Sequence, residues 1–197
     1  MRIFLSQGDA SEWLKKGKIL IYPTEGVWGI GCDAWNEKAV ARIYELKKRP
    51  SDKSLILLCK SLESIYNFLL PLTKNEMDYV ETISKNPVTI LYKFDADKTP
   101  VHLQNSTGKI AIRVSTHYHI NSLIEGFQNP IISTSANISG SNILNKIEEF
   151  KVDFDFDDVA IYNKPLGNLN KPTPIICLLY TSPSPRDVEE SRMPSSA

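Results

Sequence analysis

The stretch Lys18-Ile19-Leu20-Ile21-Tyr22-Pro23-Thr24-Glu25-Gly26-Val27-Trp28-Gly29-Ile30-Gly31 changes character at its sixth residue. Lys18 to Tyr22 is rich in β-branched and aromatic residues and reads as a strand, while Pro23 cannot donate to a ladder. The run Pro23 to Gly31, with its three glycines, is therefore expected to be a loop leaving a strand. Upstream, Ser11 to Lys16 reads as a short helix ended by Gly17. Downstream, Asn36 is placed to cap a helix with Ala39, Val40, Ile43 and Leu46 at helical spacing, stopped by Pro50.

This alternation continues along the chain. Leu55 to Cys59, Val88 to Phe94, Lys109 to Ser115, Pro130 to Ser133 and Val159 to Tyr162 read as strands. Leu62 to Leu70, Lys74 to Ser84, His117 to Gly126 and Asn145 to Phe150 read as helical. Short apolar runs separated by helical stretches predict an α/β domain rather than a bundle or a sandwich. The acidic segment Asp153 to Asp158 alternates with phenylalanine and reads as a half-buried edge, and no internal repeat is visible.

At 197 residues and 42% hydrophobic composition, one domain with one sizeable core is expected. The 23 basic and 23 acidic residues balance, so no global field would draw the chain to nucleic acid or to an anionic membrane. No apolar run approaches the ~20 residues of a membrane helix, and Met1 to Ala10 lacks the apolar centre of a signal peptide. A cytoplasmic protein follows as the expectation. Cys32, Cys59 and Cys177 are widely spaced and odd in number, which suits neither a disulfide framework nor a zinc site.

Three constellations could carry chemistry. Lys47, Arg49 and Lys53 cluster across the Pro50 turn; the helix macrodipole accounts for cations in a last turn but not for one beyond the proline. In Lys109-Ile110-Ala111-Ile112-Arg113-Val114, strand alternation puts Ala111 and Arg113 on the face opposite Ile110 and Ile112, a small residue beside an arginine on either a cleft wall or a solvated face. Ser133-Thr134-Ser135-Ala136-Asn137 leaves an apolar strand with hydroxyl and backbone N–H donors where open α/β sheets hold ligands, although a plain turn or helix cap uses the same residues. A P-loop and a nucleophile elbow are both missing from the sequence. His102, His117 and His119 have no acidic or cysteine partner at ligand spacing, so no metal site is expected. Tyr22, Trp28 and Trp35 suit base stacking or core packing equally.

Taken together, Tyr22 to Asp33, Lys47-Lys48-Arg49-Pro50 with Lys53, and Ser133 to Asn137 closely resemble the YrdC-like family in order and spacing. The resemblance implies a single-domain twisted mixed sheet with helices on its faces and a concave, positively lined groove. It also implies an enzyme, a nucleotidyltransferase that combines ATP, L-threonine and bicarbonate into threonylcarbamoyl-AMP and pyrophosphate. A separate tRNA threonylcarbamoyl-transfer complex would use the product beside the anticodon. By position, Lys47, Arg49, Lys53, Ser133, Ser135 and Asn137 would be the ATP contacts. Thr24, Arg113, Thr134 and Thr173 would face threonine.

No protein nucleophile is implied, because the carbamate formed from the threonine amine attacks the α-phosphorus; Lys47 and Arg49 would position the anions and stabilise charge. Mg²⁺ would come with ATP, and tRNA binding would be weak. Two departures stand out: Gly26 occupies a substrate-contacting position where many members have threonine, and Ser84-Lys85-Asn86-Pro87 replaces a tryptophan-proline-glycine-proline loop. The alternatives are a double-stranded RNA or tRNA-binding module without catalysis, and a hydrogenase-maturation carbamoyl-transfer domain, which would need zinc-finger cysteines that this sequence lacks.

From Cys177 to Asp187 the chain reads like a translated sequencing adapter, so residues 1–176 are expected to form the domain and 177–197 a non-native or disordered tail. In the family this region continues with a strand and an ATP-contacting arginine, a role not carried over to Arg186. Weakened ATP affinity is the corresponding expectation.

Overall fold

Residues 1–50, 53–169 and 173–178 are described by the computed structural model. The strands are β1 (Arg2–Phe4), β2 (Ile19–Pro23), β3 (Trp28–Asp33), β4 (Ile56–Cys59), β5 (Thr89–Lys93), β6 (Lys109–Val114), β7 (Ile131–Ser135), β8 (Val159–Tyr162) and β9 (Ile175–Cys177). The helices are α1 (Gln7–Lys15), α2 (Glu37–Leu46), α3 (Lys74–Ile83), α4 (Tyr118–Phe127) and α5 (Ile147–Phe154). All nine strands join one twisted mixed sheet in the order β1-β8-β2-β3-β7-β4-β6-β5-β9.

The expected loop from Pro23 to Gly31 does not form over its whole length. Only Thr24 to Val27 turns; Trp28 to Asp33 is β3, antiparallel to β2 with Tyr22 opposite Gly29 and Leu20 opposite Gly31. The glycines that suggested a loop have a different cause. A Cβ on Gly31 would lie 2.1 Å from the Ile132 carbonyl oxygen, and one on Gly29 would lie 2.8 Å from the Tyr22 ring. Both are glycine because the neighbouring strand and the Tyr22 ring lie directly against the backbone.

Other boundaries move for local reasons. Ser6 caps α1 by accepting from the Asp9 N–H, so this helix starts before Ser11; Gly17, at φ 71°, ends it in the left-handed region. Asn36 caps α2 through the Ala39 N–H, as its position predicts. Leu62–Phe68 is a 3₁₀ segment, and the last helix covers Ile147–Phe154 rather than stopping at Phe150. Phe154 is buried, while Phe156 lies 44% exposed beyond that helix. Strand β7 runs on through Ser135, so Thr134 and Ser135 are ladder residues rather than a turn.

Strand alternation divides the core in two. Ile21, Ile30, Cys32, Leu57, Ile90, Ile112 and Ile132 face α2, α3 and α5, which contribute Val40, Ile43, Val80, Phe150 and Phe154. On the opposite face, Leu20, Tyr22, Leu58, Ile131, Ala160 and Tyr162 pack against α1 and α4. Trp28 meets Phe150 edge-on at 5.5 Å inside the core, half-buried Trp35 packs on Phe68 at 4.6 Å at its edge, and Tyr22 is fully buried. Cys32 and Cys59 are buried free thiols, and burial pushes the Cys59 pKa up to about 12.

Substituting Gly29→Ala is expected to lower stability by about 1–2 kcal/mol, because the new methyl must displace Tyr22 from a packed core. Urea unfolding checks this. An unchanged midpoint would mean that the Tyr22 ring does not need the space over the glycine.

Candidate functional site

Helices α1 and α4 cover only part of their face of the sheet, and the groove lies over the rest. Register builds its floor. Gly29 pairs with Ser135, Gly31 with Ser133, Ser133 with Ile56, Ile56 with Ala111, and Ala111 with Leu91. Since paired residues across a sheet point to the same face, small, hydroxyl and apolar side chains from five strands form one continuous surface. The resulting cavity has a volume of about 450 Å³, within the size range of small-molecule sites.

Its lining includes Thr24, Arg49, Arg113, Ser133, Thr134, Ser135 and Thr173 from the predicted set. Gly26 lines it too. The charged residues among its described lining are both arginines, Arg49 and Arg113. Arg49 is held by the backbone, its Nη2 donating to the Ser54 carbonyl at 2.8 Å and its Nε to that of Lys53 at 3.3 Å. Arg113 donates from Nε and Nη2 to the Thr89 hydroxyl at 3.0 and 2.8 Å. Burial lowers the Arg113 pKa from its ordinary value, while the nearby Glu25 charge works the other way. No described carboxylate forms an ion pair with it.

Lys47, Lys53 and Asn137 are not in the groove wall. Lys47 is 1% exposed, and its ammonium donates to the backbone carbonyls of Ser135 and Asn137 from behind the loop. Burial first, and then the Arg49 charge, lower its pKa to about 8. Asn137 is buried and braced: its Oδ1 accepts from the Ser135 hydroxyl at 2.7 Å and its Nδ2 donates to the Ser141 carbonyl at 2.6 Å. Lys53 is exposed.

Thr24 turns its hydroxyl back onto the Val27 carbonyl at 2.6 Å, which closes the turn between β2 and β3. Glu25 beside it is a strut. Its Oε1 accepts from the Ser115 hydroxyl at 2.7 Å and the Thr116 N–H at 3.0 Å, and its carbonyl accepts from the Leu169 N–H at 2.8 Å. The turn is thereby tied to the end of β6, which carries Arg113, and to the segment that leads toward Thr173.

Thr89 is the residue that sequence reasoning missed. It is fully buried and lines the groove. One step along the ladder from the pair Ile90–Ile112 it lies opposite Arg113. A hydroxyl next to Leu91 on the groove face of a strand with apolar Ile90 and Leu91 was the available signal. Ile56, Leu91, Ala111 and Ile143 add apolar wall.

Comparisons with known proteins agree with this architecture. The Sua5/YciO/YrdC family model, described as "Telomere recombination", matches residues 12–185. A curated relative from Aliivibrio fischeri named "Threonylcarbamoyl-AMP synthase" is 35% identical over 164 residues, covering 82% of this chain and 88% of its own length. The crystal structure of P. abyssi Sua5 complexed with L-threonine is 27% identical with a TM-score of 0.78, over 87% of this chain. This chain spans half of that protein's length. The E. coli YciO structure is similar with a TM-score of 0.73 at 25% identity, over 87% of this chain and 83% of its own. The family match extends into the segment expected to be a tail. Apart from Cys177 and Leu178, that segment lies outside the described residues.

Proposed function

The chain belongs to the Sua5/YciO/YrdC family, and on that footing we propose that it is an L-threonylcarbamoyladenylate synthase, a nucleotidyltransferase using ATP, L-threonine and bicarbonate. The observation that carries this reading is that one cavity holds Arg113, locked onto Thr89, together with Arg49 and the hydroxyl row Ser133 to Ser135. Two separate guanidinium groups suit two separate anions, an amino-acid carboxylate and a polyphosphate.

In this reading the amine of threonine combines with bicarbonate, losing water, to give a carbamate. A carbamate oxygen then attacks the α-phosphorus of ATP; the new P–O bond forms as the bond to the β-phosphate bridging oxygen breaks and pyrophosphate leaves. The protein's part is alignment and charge. Arg113 and Thr173 hold the carboxylate, with Thr24 and Thr134 beside the amino acid. Arg49 faces the phosphates, Ser133 and Ser135 offer hydroxyls, and the exposed Lys53 adds a further cation for the same anion. Lys47 and Asn137 support the backbone from which Ser133 to Ser135 project, so their contribution is indirect.

Mg²⁺ belongs here as the companion of ATP. Among the described residues no cluster of three His, Cys, Asp or Glu side chains could hold a metal, so in this reading the ion is held chiefly by the phosphates. No helix among the described residues is long and apolar enough to cross a membrane. A cytoplasmic setting, delivery of the product to a tRNA threonylcarbamoyl-transfer complex and weak contact with tRNA complete the proposal.

Incubation with ATP, bicarbonate and L-threonine should release pyrophosphate only when all three are present. Release that does not depend on threonine, or occurs equally with unrelated amino acids, would overturn the assignment.

A further inference from the structure

We propose that Thr89 is the positioning residue of the amino-acid subsite: its hydroxyl locks the Arg113 guanidinium and, through its own proton, sets the Thr173 hydroxyl as a donor toward the ligand. This rests on the reading above that Arg113 and Thr173 meet the substrate carboxylate.

A threonine hydroxyl carries one proton and two lone pairs. Both lone pairs of Thr89 Oγ1 are taken, by Arg113 Nε at 3.0 Å and Nη2 at 2.8 Å. Thr89 is 0% exposed, so water cannot take its remaining proton. The Thr173 Oγ1 at 3.3 Å is the acceptor within reach. Donation in the opposite sense would give Thr89 a third incoming hydrogen and leave its own proton buried beside a cation, which costs the desolvation of an unpaired group. The proton therefore runs from Thr89 to Thr173, and Thr173 keeps its own hydrogen for the groove it lines.

The same two bonds orient the arginine. With Nε and Nη2 fixed on one oxygen, the guanidinium cannot rotate, and no described residue accepts a hydrogen bond from Nη1. An anion in the cavity then meets Nη1–H and the Thr173 O–H as donors, both supplied by chain atoms set before binding. The three groups come from β5, β6 and the approach to β9. Preorganisation of this kind lowers the ordering cost of binding.

Thr89→Val keeps the shape and removes the hydroxyl, whereas Thr89→Ser keeps the hydroxyl. We expect Thr89→Val to raise the KM for threonine about 10-fold, with a smaller change in kcat and with the KM for ATP nearly unchanged. Thr89→Ser should stay near wild type. In an Arg113→Ala background Thr89→Val should add little, because Thr89 acts through Arg113.

A ligand-free readout separates this inference from the assigned activity. The Arg113 Nε–H signal of the wild type should exchange slowly with water, and Thr89→Val should speed that exchange at least 10-fold. Equal exchange in the two proteins would overturn the relay, whatever the activity assay shows. Failure of the wild type to bind L-threonine in calorimetry, with the exchange difference intact, would instead overturn the substrate reading and leave the Thr89–Arg113 lock standing.

Discussion

Replacing Arg113 with alanine should reduce kcat/KM for threonine by roughly 100-fold or more, while leaving the fold intact. Truncating one member of a desolvated, hydrogen-bonded charge pair costs about 2–5 kcal/mol, and each 1.4 kcal/mol is tenfold. Arg113 is half-buried on the groove face of β6, opposite the core face of Ile110 and Ile112, so its removal takes away binding more than packing. It also leaves the Thr89 lone pairs without donors, which adds a modest loss of stability. Lysine at this position should recover little, because an ammonium cannot place two parallel N–H groups on one hydroxyl while presenting a third to a carboxylate. Steady-state kinetics with varied threonine, together with thermal unfolding, check the prediction. A wild-type KM for threonine in Arg113→Ala would remove the amino-acid carboxylate from this end of the groove.

The second large effect is expected at Lys47, and it is one of stability. Lys47→Met fills a similar volume but leaves the Asn137 carbonyl facing an apolar group, while the Ser135 carbonyl keeps the Asn137 N–H as its donor. At about 1–3 kcal/mol for one unpaired buried group, the loss should be ~2 kcal/mol, or a fall in Tm of roughly 4–8 °C for a domain of this size. The pH dependence has a definite sign. The Lys47 pKa falls from 10.5 to about 8 in the folded protein, so between these values the unfolded chain holds the proton more tightly. Stability contributed by this group therefore rises as pH climbs from about 8 toward 10.5 and is lowest below 8. The advantage of wild type over Lys47→Met should grow across that window in paired urea titrations. A difference that stays flat with pH would show that the ammonium is not desolvated behind the loop.

Both predictions turn on the difference between a residue's type and its location. Lys47 and Arg49 are neighbours in one basic run, and the sequence treats them alike. In the structure, Arg49 reaches the groove while Lys47, at the last turn of α2, points under the loop after β7. Nothing in local spacing separates them, because which end of the helix meets which loop depends on the order β3-β7-β4 in the sheet. The Pro23 to Gly31 stretch misleads for a related reason. Glycines normally mark turns, yet Gly29 and Gly31 sit inside a strand where the Tyr22 ring and the Ile132 carbonyl come too close for a Cβ.

Much was nonetheless legible in the chain. Alternating apolar runs and helical stretches determined an α/β domain, because burial periodicity is a local property of each element. The capping role of Asn36, the helix stop at Gly17 and the opposite faces of Ala111 and Arg113 from Ile112 also follow from local rules. Local rules also single out Lys47, Arg49, Lys53, Arg113 and Ser133 to Asn137, whereas Thr24 and Thr173 became candidates only through the family resemblance. What only the tertiary structure decided is which candidates converge. The Thr89–Arg113–Thr173 relay joins three segments far apart in sequence, and it exists because β5 lies between β6 and β9. Strand order is set by the packing of all the helices on both faces at once, and no single stretch of sequence carries it.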